Sequence, residues 1–219
     1  MKKLLLLSAA IAVVAAAGNA GAADLKQYVS LKGNYSLMRP TFKANGVDVD
    51  EGPFAEKYKL YDNTLGASLA YGVKMCSFRT ELELNLNGAA NKKLYDDEDV
   101  TKVKTRANSL MLNGYYDIPT KTAFTPYVGA GLGLAHVKMT AKTVEEEGLY
   151  KYNISKNKLA YQLGAGVGYE LNQNWTLDAG YRWIDYGTIS KSYNDEDEAG
   201  KDKVSTKSHN FFFGARYSF

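Results

Sequence analysis

The chain has 219 residues, 45% hydrophobic and 23% charged, which suffices for one folded domain or two small ones and excludes a disordered chain. Beyond the N-terminus no run approaches the roughly 20 consecutive apolar residues of a membrane-spanning helix, and the 17 Tyr, 8 Phe and 20 Gly favour strands and turns. The single cysteine, Cys76, can form no disulfide within the chain, and the absence of any Cys/His spacing typical of zinc leads us to expect neither metal nor cofactor.

The N-terminus predicts a secretory signal peptide. Lys2 and Lys3 precede an apolar run over residues 4–17, and Ala20 and Ala22 form an A-x-A cleavage pattern. We expect residues 1–22 to be removed and residues 23–219 to form the mature domain, without a lipid anchor because the cysteine lies far downstream of the cleavage site and not directly after it. Loss of the two lysines lowers the formal charge from +3 by two to +1, so the charge gives no argument for nucleic-acid binding.

Alternation of apolar and polar residues then recurs in eight segments, each ending at turn residues. The clearest segment covers residues 78–87, where leucines at every second position alternate with Arg79, Glu81 and Glu83. A soluble helix would not space its leucines by two. The predicted strands cover residues 27–39, 59–74, 78–87, 104–118, 124–139, 158–171, 175–186 and a last segment that ends at Phe219.

The connections alternate between long and short. Long polar segments follow the first, third, fifth and seventh strands, at residues 40–58, 88–103, 140–157 and 187–207, and short turns follow the others. This pattern is typical of bacterial outer-membrane barrels, in which the long loops face outward. Because hydrocarbon offers no partner for a free N–H or C=O group, the last strand must pair with the first. The sequence therefore predicts an all-β fold, an eight-stranded antiparallel up-and-down transmembrane barrel, with a lumen just wide enough for side chains to fill.

The alternative fold is a soluble barrel of the lipocalin type, which keeps apolar residues inside and polar residues outside. Here glycines and charged residues share one face, which suits a crowded polar interior. Aromatic residues near the strand ends are expected to form interfacial girdles, and they include Tyr169, Trp175, Tyr181 and Trp183.

Eight charged residues share the predicted interior face, four positive and four negative. Pairing them with good geometry would reduce the desolvation penalty and leave a plug of side chains across the lumen. A narrow or gated ion path is the alternative. The predicted network consists of Lys32, Arg79, Glu81, Glu83, Glu170, Asp178, Arg182 and Arg216.

Two patterns that could indicate an enzyme do not support one. The glycines at 129, 131 and 133 and at 164, 166 and 168 have a period of two, which differs from a dinucleotide fingerprint and leaves room beside bulky lumen residues such as Tyr115, Tyr127 and Phe212. Ser208 adjoins His209, but neighbours along a strand point to opposite faces, and no serine lies two residues after His136. We predict no catalytic residues and no enzyme activity.

Four stretches make the chain similar to the opacity-protein and related surface-antigen family of Gram-negative outer-membrane proteins, which are small OmpA-like barrels. They cover residues 125–133, 160–169, 177–183 and 213–219. The resemblance implies surface antigens, adhesins or envelope-stabilising proteins without a shared catalytic site. It also implies that the terminal Phe219, with Phe213 and Tyr217 before it, is the signal read by the barrel-assembly machinery.

The sequence thus predicts an outer-membrane surface protein with a structural, adhesive or antigenic role through four extracellular loops. A narrow porin-like channel and a lipid-modifying outer-membrane enzyme are the alternatives. Three of these loops contain acidic runs with nearby lysines. We interpret these charges as solvated and screened by one another; the alternative is that they recognise lipopolysaccharide, divalent cations or a host surface. The expected partners are outer-membrane lipid and lipopolysaccharide, the assembly machinery and a host or envelope ligand, with no nucleic acid.

Overall fold

The computed structural model describes residues 25–44, 47–48, 62–96, 99–145, 148–194 and 199–219. The predicted signal peptide at residues 1–22, most of the first long connection and parts of the three acidic runs lie outside the described residues. None of the described residues belongs to a helix of the length and apolarity that crossing a membrane requires.

Within the described residues the chain forms ten strands. They are β1 (Leu25–Ala44), β2 (Val47–Asp48), β3 (Asp62–Met75), β4 (Phe78–Asn87), β5 (Ala90–Asp96), β6 (Asp99–Asp117), β7 (Phe124–Glu145), β8 (Gly148–Glu170), β9 (Trp175–Asn194) and β10 (Ala199–Ser218).

Eight of these strands close a barrel in the order β1, β3, β4, β6, β7, β8, β9 and β10, all antiparallel, while β2 and β5 only extend hairpins at one end. The closing seam pairs β1 with β10 from Tyr28↔Ser218 to Lys43↔Lys203. At its lower end the Phe219 amide donates to the Gln27 carbonyl at 3.0 Å. The predicted eight-stranded antiparallel barrel is confirmed.

The two faces of the barrel differ in polarity as the alternation predicts. Apolar side chains point outward and are exposed, with Leu65 74% and Leu31 62% accessible, whereas Glu83 on the inner face is fully buried. A soluble barrel would have the reverse polarity, because water outside would make this apolar surface costly. The lipocalin-type alternative is therefore wrong.

Short turns close one end of the barrel and long hairpins extend the other. The β3–β4 turn is Cys76-Ser77, and Cys76 has a φ of +54° in the left-handed region. The segments 88–103, 140–157 and 187–207, predicted as loops, are instead largely β-structure, since β7 and β8 pair up to Glu145↔Gly148 and β9 and β10 up to Asn194↔Ala199. Polar alternation with Thr, Val and Tyr sustains strand pairing where no lipid requires an apolar face.

The β7–β8 and β9–β10 hairpins separate from each other above the barrel wall, whereas β6 stays paired with β7 up to Val100↔Val144. The β8–β9 ladder runs only from Tyr161↔Asp185 to Glu170↔Thr176. Directly above it, Gly187 takes a φ of +80° and the β9–β10 register shifts between Ser205 and Lys207, as in a β-bulge. Beyond this point β8 pairs only with β7, and β9 pairs only with β10. The β7–β8 and β9–β10 hairpins therefore project separately from each other.

Candidate functional site

The middle of the lumen is crossed by a buried ion-pair network. Lys32 on β1 places its Nζ 2.7 Å from Glu81 Oε1 and 2.7 Å from Glu83 Oε2, both on β4. Glu83 also binds Arg182 from β9, on the opposite wall. Alternation directs all four side chains inward, and the closed sheet brings β1, β4 and β9 within reach of one another. This network therefore ties three walls of the barrel together.

Arg182 also donates to uncharged side chains. Its Nη2 lies 2.7 Å from Asn85 Oδ1, 3.0 Å from Asn34 Oδ1 and 3.2 Å from Ser68 Oγ. The guanidinium thus bonds to residues of β1, β3 and β4 as well as to Glu83. Several charge-assisted hydrogen bonds compensate the desolvation of a buried cation better than one pair does.

Three further ion pairs lie nearer the turn end of the lumen, two of them at Asp117. Arg79 Nε donates to Asp117 Oδ1 at 2.8 Å, and Lys74 Nζ lies 3.0 Å from Asp117 Oδ2. Arg216 Nε lies 3.4 Å from Asp178 Oδ2. Lys74 and Asp117 are absent from the predicted network, although Asp117 continues the inward alternation of its strand, which is a signal for the inner face.

Glu170 was wrongly assigned to the buried network. Its side chain is exposed at the end of β8, where its amide donates to the Ala123 carbonyl at 2.9 Å. It lines an open vestibule of about 650 Å³ with Lys26, Lys74 and Arg216. Alternation gives the face of a residue but not its height along the strand, so it could not show that Glu170 lies beyond the packed section. The other seven predicted residues are buried.

An apolar layer starts beside the ion-pair network, at Met111 opposite Glu83, and fills the interior toward the hairpins, where the alternation predicts polar residues. These side chains are almost fully buried and come from five strands of the barrel and from β5. Ala135 and Met111 stand on the predicted inner face and already interrupt its polarity, so the layer had a sequence signal. It consists of Met38, Ala90, Ala107, Met111, Ala135, Val137, Ala160, Ile184 and Tyr186.

Glycines on the inner face make room for large side chains, as the period of two predicts. A Cβ at Gly166 would lie 2.7 Å from the Tyr127 ring, and one at Gly129 would overlap the Tyr115 ring. These two tyrosines flank the Arg79 guanidinium, whose Cζ lies 4.6 Å and 4.8 Å from the centroids of Tyr127 and Tyr115. The glycines thus allow aromatic rings to complete the filling of the lumen.

The predicted interfacial aromatics lie at both ends of the lipid-facing belt. Near the short turns, the ring of Tyr169 is 4.8 Å from Phe124 and that of Trp175 is 5.0 Å from Tyr217. Toward the hairpins, Trp183 lies 5.5 Å from Tyr161. Tyr181, two residues before Trp183, places its hydroxyl 2.6 Å from His209 Nδ1. Their anchoring role remains a prediction.

The three residues of the predicted assembly signal lie on the outer face of β10 or directly after it. Phe213 is 62% exposed and Phe219 61%, and the Tyr217 and Phe219 rings are 6.4 Å apart. All three lie beside the β1–β10 seam, which is the pairing that closes the barrel. Their recognition by the assembly machinery remains a prediction.

The structure assembles one polar cluster that the sequence analysis missed. His136 Nδ1 lies 2.7 Å from Asn157 Oδ1, and its Nε2 lies 3.0 Å from Ser155 Oγ. The strand register makes the cluster, because Asn157 lies opposite His136, and neighbours along one strand could not reveal it. The order Ser-His-Asn is that of a hydrolase nucleophile, base and orienting group. All three side chains are exposed on the outer sheet face, whereas such groups act in a water-excluded site.

Apolar side chains outside, charges inside and hairpins at one end define a transmembrane β-barrel of the bacterial outer membrane. The family described as "Outer membrane protein beta-barrel domain" matches residues 5–219, and the chain belongs to this family. This confirms the expected location in the Gram-negative outer membrane and the resemblance to small outer-membrane surface proteins.

Two relatives and one solved structure illustrate this similarity. Outer membrane protein PagN of Salmonella typhimurium is 39% identical over 124 residues, which are 54% of this chain and only about half (52%) of PagN. A Rickettsia conorii protein described as a candidate adhesin is 28% identical over 250 aligned positions, covering 99% of both chains. The crystal structure of OprG from Pseudomonas aeruginosa has a TM-score of 0.51 at 17% identity, covering 89% of this chain and 96% of OprG, and supports the fold alone.

Proposed function

We propose that the protein is a surface adhesin or antigen in which the barrel is a rigid support and the outward hairpins contact a ligand. The observation that carries the proposal is the length of these hairpins. β7 continues eleven residues past Leu134, the last apolar residue of its lipid-facing row, up to Glu145. At about 3.4 Å per residue this is roughly 35 Å of paired strand beyond the belt. The description of the Rickettsia relative as an adhesin agrees with this role.

The filled lumen supports a binding role over a transport role. A solute would have to pass the Arg182–Glu83 network and then the apolar layer around Ile184 and Tyr186. Displacing buried charge pairs and wetting an apolar constriction are both costly. We therefore propose a closed barrel and not a wide pore, and conductance measurements distinguish it from the narrow channel.

Shortened hairpins test the proposed role. Removing residues 142–151 and joining Ala141 to Tyr152 through Asn-Gly keeps the register, because Lys142 lies opposite Lys151 and Ala141 opposite Tyr152. Removing residues 190–203 shortens the β9–β10 hairpin in the same way, since Ser190 lies opposite Lys203. We expect bacteria that display either variant, or the two combined, to adhere severalfold less to cultured host cells.

The controls for this experiment are folding and surface exposure. Each variant should still shift on a detergent gel upon boiling and should be cleaved by protease on intact cells, because the barrel wall is unchanged. If all shortened variants fold and adhere like the original protein, adhesion through the β7–β8 and β9–β10 hairpins is wrong and an envelope-stabilising role gains support.

A further inference from the structure

A basic patch lies on the outer face of β6 and β7, directly above the lipid-facing belt. Going up this pair of strands, the outward pairs are Leu110↔Leu134, then Asn108↔His136, then Arg106↔Lys138. Arg106 and Lys138 are both exposed. The surface thus changes from a leucine pair to a pair of cations within four residues. We call Arg106 and Lys138 the basic pair.

Within the part of the chain that the structure describes, the basic pair has no local countercharge. Like charges directly opposite each other on antiparallel strands are destabilising. Lys138 faces Ser155 on the β8 side, and the next outward pair above is Lys104↔Thr140, so the register adds another cation and no carboxylate. Among the described residues, neither member of the pair contacts an acidic side chain. An arrangement of this kind is favourable when an external anion lies between the two cations.

The level of the basic pair relative to the membrane indicates which anion this is. Four residues separate Arg106 from Leu110, and at about 3.4 Å per residue with a tilt of roughly 40° they raise the pair about 10 Å above the last leucines. This is the depth of the polar headgroups, which flank the hydrocarbon core. The long stems of Arg and Lys allow the charges to adjust by several ångströms toward a headgroup.

The polar cluster described above adjoins the basic pair. Ser155 lies opposite Lys138 and Asn157 lies opposite His136, and His136 is hydrogen-bonded to both Ser155 and Asn157. Their exposed oxygen and nitrogen atoms form a ledge between the leucines and the cations. A ligand with a phosphate, hydroxyl groups and acyl chains, in that order toward the membrane, matches these three levels.

We infer that the basic pair, with Lys104 above it, binds a phosphate group of a phosphorylated glycolipid in the outer leaflet. Arg106 supplies two parallel N–H donors to the phosphate, and Lys138 supplies a second cation. The Ser155–His136–Asn157 ledge contacts the sugar, and Leu110 and Leu134 contact the acyl chains. This site fixes the barrel in its leaflet and is independent of the ligand bound by the hairpins.

The test compares lipid binding by two charge-matched variants of the mature protein. The first is Arg106→Gln with Lys138→Gln. The control is Arg39→Gln with Lys207→Gln, which removes two cations at a similar level on β1 and β10, where Asp185 lies opposite Lys207. Native mass spectrometry in detergent measures binding of lipid A and of lipid A with its phosphates removed. Boiling-dependent gel migration shows that each variant is folded.

We expect the unaltered protein and the control to bind phosphorylated lipid A about tenfold more tightly than the dephosphorylated form, and the Arg106/Lys138 variant to lose this preference. In micelles without lipid A, the same variant should unfold at an equal or higher temperature, because a repulsive pair has been removed. Equal binding by the variant and the unaltered protein would overturn the inference. Binding of soluble heparin fragments at this pair without any lipid A preference would overturn it too.

Discussion

Glu83 is the residue on which the lumen network depends most, because it contacts both Lys32 and Arg182 and is fully buried. Glu83→Gln keeps the shape of the side chain but removes the charge that both cations face. Lys32 keeps Glu81, but leaving the buried Arg182 without its carboxylate partner costs about 3–5 kcal/mol. We expect the free energy of unfolding, measured by urea titration of the folded protein in lipid vesicles, to fall by that amount.

Glu170→Gln is the matched control, since Glu170 is exposed at the vestibule rim. We expect it to change the free energy of unfolding by less than about 0.5 kcal/mol, as most surface substitutions do. Similar effects of the two substitutions would mean that the network does not stabilise the barrel.

The substitution Ser155→Ala tests whether the Ser155–His136–Asn157 cluster is catalytic. Hydrolysis of an acyl ester would require the Ser155 hydroxyl as nucleophile, so Ser155→Ala would abolish it. The cluster is exposed on a sheet face, and we therefore expect no effect on the acyl composition of outer-membrane phospholipid and lipid A, measured by mass spectrometry. Cells with the unaltered protein, cells with the Ser155→Ala variant and cells without the protein should give the same composition. A change that only the unaltered protein produces would establish an enzyme.

At the residue scale, the sequence predicted faces but not partners. Alternation placed Lys32, Glu83 and Arg182 correctly on the inner face. It could not show that Glu83 meets Arg182, 99 residues further along the chain, because that contact depends on how the sheet closes. Glu170 lies on the predicted inner face but beyond the packed section of the lumen. A period of two gives the face of a residue and not its height along the barrel.

At the element scale, the lipid belt was predicted better than the strands themselves. The apolar alternation ends near Leu134 and Leu159, and the predicted strands ended soon after it. In the structure β7 continues up to Glu145, and β8 already begins at Gly148. Backbone pairing requires no apolar side chains, so the end of the belt marks the edge of the membrane and not the end of a strand.

The last strand carries a prediction about assembly. Phe219 lies beside the closing seam, and we expect Phe219→Ala to reduce the amount of folded protein in the outer membrane severalfold. Phe211→Ala is the control, because Phe211 is also an exposed aromatic of β10 but lies outside the predicted signal. Cell fractions are compared by the gel shift on boiling.

The purified Phe219→Ala and Phe211→Ala chains should refold equally well in detergent, where no assembly machinery acts. A refolding defect confined to Phe219→Ala would point to a structural contribution of the terminal ring. Equal amounts of both variants in the outer membrane would show that Phe219 is not the signal.

At the scale of the whole molecule, two layers of different chemistry close the lumen. The Lys32–Glu81–Glu83–Arg182 layer blocks passage with side chains that are held by ion pairs. The layer around Ile184 and Tyr186 blocks it with apolar volume. Because the layers lie one above the other, opening either one leaves the other in place.

This arrangement predicts that conductance requires both layers to be opened. Glu83→Ala with Arg182→Ala removes an ion pair as a unit, so that Lys32 keeps Glu81 as its partner. Ile184→Ala with Tyr186→Ala opens the apolar layer. In planar bilayers we expect no steady current from the unaltered protein or from either double variant. We expect a steady current from the quadruple variant. The gel shift on boiling first shows that each variant is folded. A steady current from the unaltered protein would establish the narrow channel, and one from Glu83→Ala/Arg182→Ala alone would show that the apolar layer is no barrier to ions.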